Sequence, residues 1–350
     1  MQCRAFRGRA PLVATGFACL ALGVIFGPVV AVADPEAGSP AVSHEQLAGP
    51  CCSLPAVDPL LVEEGWTDRP VRHTEANAAA ELVVTLDQQL YPALRPVIQR
   101  FAAQHGVRIV VENGTCGTSA GALYRKEVDV GGFCCPPGES DRLPGLRYHT
   151  LGVAAIALIV HPSNPLVTIS LADARRIFMG KAQQWRDLLP ENAVFSQPIQ
   201  PVTRLHCVHR PGHWRLLLRD DDLFGPRVID VGAISDMVGY VARSPAAIGY
   251  ETVWMAERYR DVGEVKMLLL DGVSPRDTEA LAAGRYPLYR AFHVTTWEGA
   301  AANPLADQLV QVMREGFEGA PAEFAFTPRR VMAEYGWRFE QDELQGALAH

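Results

Sequence analysis

The first regular pattern of apolar and polar positions begins at residue 81. In "AELVVTL", Leu82, Val83, Val84 and Leu86 form a short apolar run, which predicts a buried strand. "YPALRPVIQRFAAQHG" sets Leu94, Val97, Ile98 and Phe101 at helical spacing, with Gly106 as the stop. "VRIVVEN" reads as a second strand, "GTCGTSAGALYRKEV" as a turn entering a helix, and "DVGGFCCPP" as a third strand ended by Pro136-Pro137. This order of strand, helix, strand, helix, strand predicts a parallel sheet with right-handed crossovers.

Further on, Leu151–Pro162 is a long apolar strand, and "SLADARRIFMG" a helix capped by Ser170 and stopped by Gly180. "IQPVTRL" predicts a strand, "HCVHRPGHWRLLLRD" a loop feeding a helix, and "AISDMVGYVARSP" a helix. "AAIGYETVWMA", "VKMLLLDG" and "LYRAFHVTT" read as strands. "NPLADQLVQVMREGFEG" is a helix opened by Asn303, and a last helix falls near Arg329–Tyr335. There is no internal repeat. Trp185, Trp214 and Trp254 are expected in the core.

The chain ahead of this pattern divides in two. Arg4, Arg7 and Arg9 precede an apolar run from Ala10 to Val32, broken by Gly27-Pro28 and closed by Ala31-Val32-Ala33 before Asp34. That is the layout of a signal peptide over 1–33, with an uncleaved membrane anchor as the alternative. Gly16-Phe17-Ala18 before Cys19 is a poor lipoprotein signal. Residues 34–79 are a Pro/Gly/Ala-rich arm without period. The expected mature protein is exported and soluble, since no later stretch is apolar enough to span a bilayer.

Charge and length narrow the function. The 350 residues carry a net charge of −7, which argues against nucleic acid as a partner. Removing residues 1–33 takes away three Arg and no acid, leaving 29 basic and 39 acidic residues and a net charge of −10. The length suits two lobes, each able to bury a core without the help of disulfides.

Cysteine use is the unusual feature. Cys3 and Cys19 leave with the leader, and Cys51, Cys52, Cys116, Cys134, Cys135 and Cys207 remain. In an oxidising compartment the plain expectation is three disulfides, such as Cys116 or Cys207 with one of Cys134 and Cys135. Two adjacent Cys-Cys pairs fit that poorly, because neighbours rarely bridge each other. Cys51-Cys52 would then tie the arm to the body. There is no C-x-x-C and no C-x-x-C-H, so zinc ribbon, thioredoxin-like and covalent haem sites are unsupported. His206, His209 and His213 flank Cys207, either as surface loop residues or as contacts to a metal or haem. His161 and the dispersed His44, His73, His105, His149 and His293 read as turn residues of the fold.

The words of the sequence resemble a known family. "IALIVHPSNPLVTISLADARRIFMGKAQQWRDL" has an apolar strand, a His-Pro-x-Asn-Pro turn at His161–Pro165, a helix ending Ile177-Phe178-x-Gly180, and Trp185. "AAIGYETVWMA", the run Tyr286-Pro287-Leu288-Tyr289-Arg290 and "VDVGGFCCPP" also match. Together they resemble the periplasmic solute-binding proteins of the phosphate-binding (PstS-like, type II) kind, over roughly 80–340. The resemblance implies an α/β, two-lobed periplasmic-binding-protein-like fold: mostly parallel sheets flanked by helices, joined by two hinge strands near Leu151–His161 and Ala247–Met255. Lobe one would be 80–155 plus 256–350, and lobe two 156–255.

It also implies four loops facing a cleft. In the family these carry Ser, Thr, Gly and Arg, which suit an oxyanion. Here the first is Thr85-Leu86-Asp87-Gln88-Gln89, where a carboxylate would repel an anion. The second runs from Asn113 to Ser119 and contains Cys116, Thr118 and Ser119. The third, Ser-Ser-Arg in the family, is Cys134-Cys135-Pro136, and the fourth is Arg204-Leu205-His206-Cys207-Val208-His209-Arg210-Pro211-Gly212-His213.

The implied ligand-binding residues are Cys116, Thr118, Ser119, Cys134, Cys135, Arg204 and Cys207. Cys116, Cys134, Cys135, Cys207, His206 and His209 form a candidate set for a bound metal or metalloid ion. A thiolate set of this kind suits arsenite, copper(I), zinc or mercury better than phosphate. It is similar in design to the family's arsenite-sensing branch. For Arg204 an ion pair and an anion contact both stay open. The expected protein is a monomeric binding protein, not an enzyme, that presents a small inorganic ligand to an inner-membrane transporter or sensor kinase. The alternative is a periplasmic redox or metal/haem-handling protein. "GTSAG" is not read as a nucleophile elbow, no H-E-x-x-H occurs, and a Cys207–His pair lacks local support.

Overall fold

Hydrogen bonding orders most strands of the computed structural model into one large sheet. The structure describes residues 62–138, 141–191, 194–205 and 213–346. In chain order the elements are β1 (Leu82–Asp87), α1 (Tyr91–His105), β2 (Ile109–Gly114), α2 (Cys116–Tyr124), β3 (Val130–Phe133) and β4 (Leu146–Val160). Then come β5 (Thr168–Ile169), α3 (Leu171–Phe178), β6 (Gln200–Thr203), β7 (Ile229–Asp230), α4 (Ile234–Arg243), β8 (Ala247–Thr252) and α5 (Val253–Arg258). The chain continues with β9 (Lys266–Met267), β10 (Leu269–Leu270), α6 (Thr278–Ala282), β11 (Tyr289–Trp297), α7 (Pro304–Glu318), β12 (Phe326–Pro328), α8 (Arg329–Glu334), β13 (Arg338–Glu340) and β14 (Glu343–Gly346).

The sheet runs β2-β1-β3-β11-β4-β8-β6-β7, with β5–β10 and β13–β14 as two small separate pairs. Its two flanks are parallel: β1 pairs with β2 and β3, and β6 with β7 and β8. The middle is antiparallel, β11 with β3 and β4, and β4 with β8. One strand serves both halves: residues 146–155 of β4 pair with β11, and residues 156–160 with β8. All six residues of β1 are buried, as its unbroken apolar run requires. In α1 the buried residues are Ala93, Leu94, Val97, Ile98 and Phe101, and Gly106 closes the helix at φ 64°, a left-handed conformation that glycine adopts without strain.

Two main cores lie along the sheet. One gathers Leu82, Leu86, Leu94, Phe133 and Phe292; the other gathers Phe178, Trp185, Trp214, Tyr250 and Tyr286. Trp185, Trp214 and Trp254 are all buried. Cutting Trp185 back to Ala removes a fully buried side chain, a change that costs about 3–5 kcal/mol.

Several expectations need correction. Order begins before residue 80: Trp66 is buried, donates to the Tyr124 carbonyl at 3.1 Å, and has the Lys126 ammonium 4.3 Å from its ring. One aromatic anchor leaves no period to read. "VKMLLLDG" is not one strand, because the chain changes partner at Leu268, from β4 for β9 to β5 for β10. The helix expected after Arg210 is, in its described part, a single 3-10 turn, His213–Leu216. His149 and His293 are strand residues rather than turn residues. β4 starts five residues before Leu151, since His149 finds Thr296 Oγ1 at 2.8 Å and Tyr148 donates to the Asp141 carbonyl at 3.0 Å.

Candidate functional site

Three element ends meet beside the middle of the sheet. β1 ends at Asp87, whose Oδ1 accepts from the Gln89 N–H at 2.9 Å and turns the chain toward α1. Thr115 caps α2 through a reciprocal bond with Thr118, so Cys116 is the first helical residue. Cys134 is the first residue past β3, and its N–H donates to Cys116 Sγ at 3.2 Å.

The result is a buried thiol cluster. The sulfurs of Cys116, Cys134 and Cys135 lie within 4.8 Å of one another, and none is in a disulfide. Cys116 Sγ is 3.3 Å from Cys134 Sγ, and Cys134 Sγ is 4.0 Å from Cys135 Sγ. Arg290 of β11 donates to Cys134 Sγ through Nη1 at 2.9 Å. Hydrogen bonds from the Cys116 and Cys135 thiols, and then the charge of Arg290, hold Cys134 well below the usual thiol range despite its burial. The bond to Cys134 pushes Cys116 up instead. Both directions favour a thiolate at Cys134 that accepts from its neighbours. Burial, then the negative sulfur of Cys134, pushes the Asp87 carboxyl well above the carboxylate range. The repulsive carboxylate expected there is thus weakened.

Behind the sulfurs runs a line of buried charge. Arg290 Nη2 lies 3.6 Å from Glu251 Oε1, and the other oxygen of Glu251 takes Arg204 Nη1 at 2.7 Å. The Gln89 amide, with its oxygen toward Arg290, accepts from Nη1 and Nε at 3.1 Å each and donates to Thr252 Oγ1 at 2.9 Å. Arg204, Glu251 and Arg290 are 3%, 0% and 1% exposed, so each charge depends on its partners rather than on water. Nearby, Tyr250 hydrogen-bonds Thr203 at 2.6 Å, and burial pushes its hydroxyl up to about 12.

The sequence-derived residues are thus distributed unevenly. Cys116, Cys134 and Cys135 come together, and Arg204 joins them through Glu251 and Arg290. Thr118 is exposed, and its hydroxyl is engaged in the helix cap. Ser119 is buried one turn inside α2, with no hydrogen-bond partner for its Oγ among the described residues. The letters Gly117–Gly121 do run Gly-x-Ser-x-Gly, but Ser119 is not on the exposed strand-to-helix corner that a nucleophile elbow requires. Cys207, His206 and His209 lie outside the described residues, as do Cys51 and Cys52.

Sequence reasoning missed Arg290, Glu251 and Gln89 as site residues. The signal was present for two of them: Arg290 and Glu251 are single charges inside apolar strands, and such charges must be paired. It also missed His293, fully buried on β11, with neither ring nitrogen hydrogen-bonded among the described residues and its pKa pushed down to about 3 by burial. A cavity of about 930 Å³ lies elsewhere, between α1, α5 and the end of α7, and is lined by Pro92, Phe101, Trp254 and Phe324. It includes none of the thiols.

A family profile described as "PBP superfamily domain" matches residues 71–314. The chain belongs to the PBP superfamily. Among curated relatives of this PBP-superfamily chain, the phosphate-binding protein PstS of Bacillus subtilis (strain 168) is 24% identical over 228 residues, 63% of this chain and 72% of that protein. An ABC-type phosphate transport receptor from Vibrio cholerae has a similar structure, with TM-score 0.53 and 17% identity over 74% of this chain and all of the other. A putative phosphate ABC transporter substrate-binding protein from Clostridium perfringens, solved with bound phosphate, gives TM-score 0.59 and 17% identity over 71% of this chain and 98% of the other. These likenesses establish the fold as α/β and two-lobed, with a central sheet flanked by helices. Solute binding is the function of the proteins named. Among the described residues no helix is long and apolar enough to cross a membrane.

Proposed function

We propose that this chain is an exported solute-binding receptor whose cleft takes a soft, thiophilic ligand, a trivalent metalloid such as arsenite or a soft metal ion, in place of phosphate. The observation that carries the reading is the buried set Cys116, Cys134 and Cys135, all within 4.8 Å. Thiolates prefer soft acceptors, and a trivalent metalloid or copper(I) accepts three of them. The electrostatics point the same way. A phosphate entering here would meet the negative sulfur of Cys134, while Arg290 and Arg204 already answer to Cys134 and Glu251. By analogy with the relatives, the loaded receptor hands its ligand to an inner-membrane transporter; presentation to a sensor kinase is the other outcome of the same proposal. Export through residues 1–33 and a cleft between lobes 80–155 plus 256–350 and 156–255 belong to the same proposal.

The test is a binding screen of the reduced protein with arsenite, copper(I), zinc and phosphate, read as thermal stabilisation and by calorimetry. A ligand at a hundred times its Kd, selective for the folded form, adds about 2.7 kcal/mol. Arsenite or copper(I) should do this and phosphate should not. Tight phosphate binding with no response to the soft ligands would overturn the reading.

A further inference from the structure

We infer that Cys116 and Cys134 are a dithiol–disulfide exchange site that reversibly shuts off soft-ligand binding when oxidised; the switch rests on the ligand reading above, but the bond itself does not. The geometry favours this pair over Cys134 with Cys135. Their sulfurs stand at 3.3 Å, against 4.0 Å between Cys134 and Cys135. A disulfide needs about 2.05 Å, so rotation of two side chains by little more than an ångström completes the bond. A bridge between adjacent Cys134 and Cys135 would instead strain the peptide joining them. Both partners also sit at element ends, Cys116 opening α2 and Cys134 just past β3, where small shifts do not break a ladder.

The chemistry is matched to exchange. The nucleophile in such reactions is the thiolate, and Arg290 Nη1 at 2.9 Å favours that form of Cys134. The oxidant is a disulfide, R–S–S–R, either a small molecule or a protein disulfide of the exported compartment. Cys134 sulfur attacks one sulfur of it, forming a Cys134–S–S–R bond and releasing R–S⁻. Cys116 then attacks Cys134 sulfur, forming the Cys116–Cys134 bond, releasing the second R–S⁻ and passing its proton to a departing thiolate. Two protein sulfurs lose two electrons and the oxidant gains them.

Burial shapes the kinetics. Cys116, Cys134 and Cys135 are at most 4% exposed, so exchange proceeds from an opened cleft, and a ligand that holds the cleft shut slows it. Once the pair is bridged, Cys135 is the one thiol left of the three, and one donor cannot hold what three held.

The experiment uses the full chain, reduced and then equilibrated across a glutathione/glutathione-disulfide series, quenched by alkylation and mapped by peptide mass spectrometry. The expected result is one two-electron transition that links Cys116 to Cys134 and leaves Cys135 alkylated. Arsenite affinity should fall at least a hundred-fold with the bridge and return on re-reduction. Cys135→Ser should still form the bridge, and Cys134→Ser should not. Full alkylation of Cys116 and Cys134 across the series, or a bridge to a different cysteine, overturns the exchange site. A bridge that forms while arsenite affinity stays level overturns the switch. A reduced protein that ignores arsenite while the bridge still forms sinks the ligand reading and the switch together, and leaves the exchange chemistry standing.

Discussion

Two clusters of charge lie along the central sheet, and they are built to opposite specifications. At the C-terminal end, Asp342 takes Arg314 at 2.7 Å, His149 at 3.0 Å and Arg329 at 3.4 Å, while Arg142 meets Glu343 at 2.6 Å. The backbone joins in, with Thr150 N–H donating to the Asp342 carbonyl at 3.0 Å. A hard carboxylate held by three cationic or polar groups is a clip that fixes the β13–β14 hairpin to β4. At the thiol end Arg290 donates to Cys134 Sγ at 2.9 Å, and the Cys116 and Cys135 sulfurs stand 3.3 Å and 4.0 Å from it. Sulfur is a softer donor to a ligand than a carboxylate oxygen, so this end favours a soft partner. The first cluster answers a hard carboxylate with hard cations and holds structure together, whereas the second gathers three soft sulfurs that a soft ligand can take.

The comparison can be broken in several places. The largest effect is expected from Glu251→Gln, which leaves Arg204 and Arg290 buried without their shared carboxylate. It should lower stability by about 3–5 kcal/mol in urea unfolding. A loss under about 1 kcal/mol would show that the line of charge is not what holds the thiol end together.

Acid is the second way in. The His293 pKa is pushed down to about 3 by burial, below the ordinary value of about 6.5 in an unfolded chain. The unfolded state therefore binds the extra proton, and the stability is present above about pH 6.5 and drains as pH falls toward 3. The slope should approach about 1.4 kcal/mol per pH unit, and His293→Phe should flatten it. An unchanged slope in that variant would assign the acid sensitivity to other groups. His149, also lowered chiefly by burial, adds to the loss in the same direction.

Ligand binding tests the thiol end without unfolding it. Cys116→Ser, Cys134→Ser and Cys135→Ser should each cost arsenite at least about two decades in affinity, roughly 2.7 kcal/mol, with non-additive losses in combination. Undiminished binding in any two of them would remove the thiol set from the account.

The smallest effect belongs to the clip. Asp342→Asn should cost about 1 kcal/mol of stability and leave ligand affinity untouched. Against the opposing cost of burial, hydrogen bonds from Arg314 and His149 hold the Asp342 carboxyl below its usual value. Its contribution is thus present above about pH 3.9 and lost as pH falls through the lowered value. A fall in arsenite affinity in this variant would mean that the two clusters are coupled after all.

How much could be read in advance follows from which interactions leave a local trace. The period of apolar residues determined β1, α1, α4 and α7, because burial on one face or both repeats along the chain. Residue types alone marked Cys116, Cys134 and Cys135 as soft donors where hydroxyls were expected by resemblance. The sequence could not say whether those thiols were bonded, since that depends on sulfur separations set by the ends of β1, α2 and β3. Nor could it say that Arg290, 156 positions along the chain from Cys134, supplies the cation, or that Glu251 joins Arg290 to Arg204. Pairing across a sheet carries no local period. It is decided when antiparallel β11 and β4 and the neighbouring β8 bring their few buried charges into register, where low dielectric makes each charge require a partner.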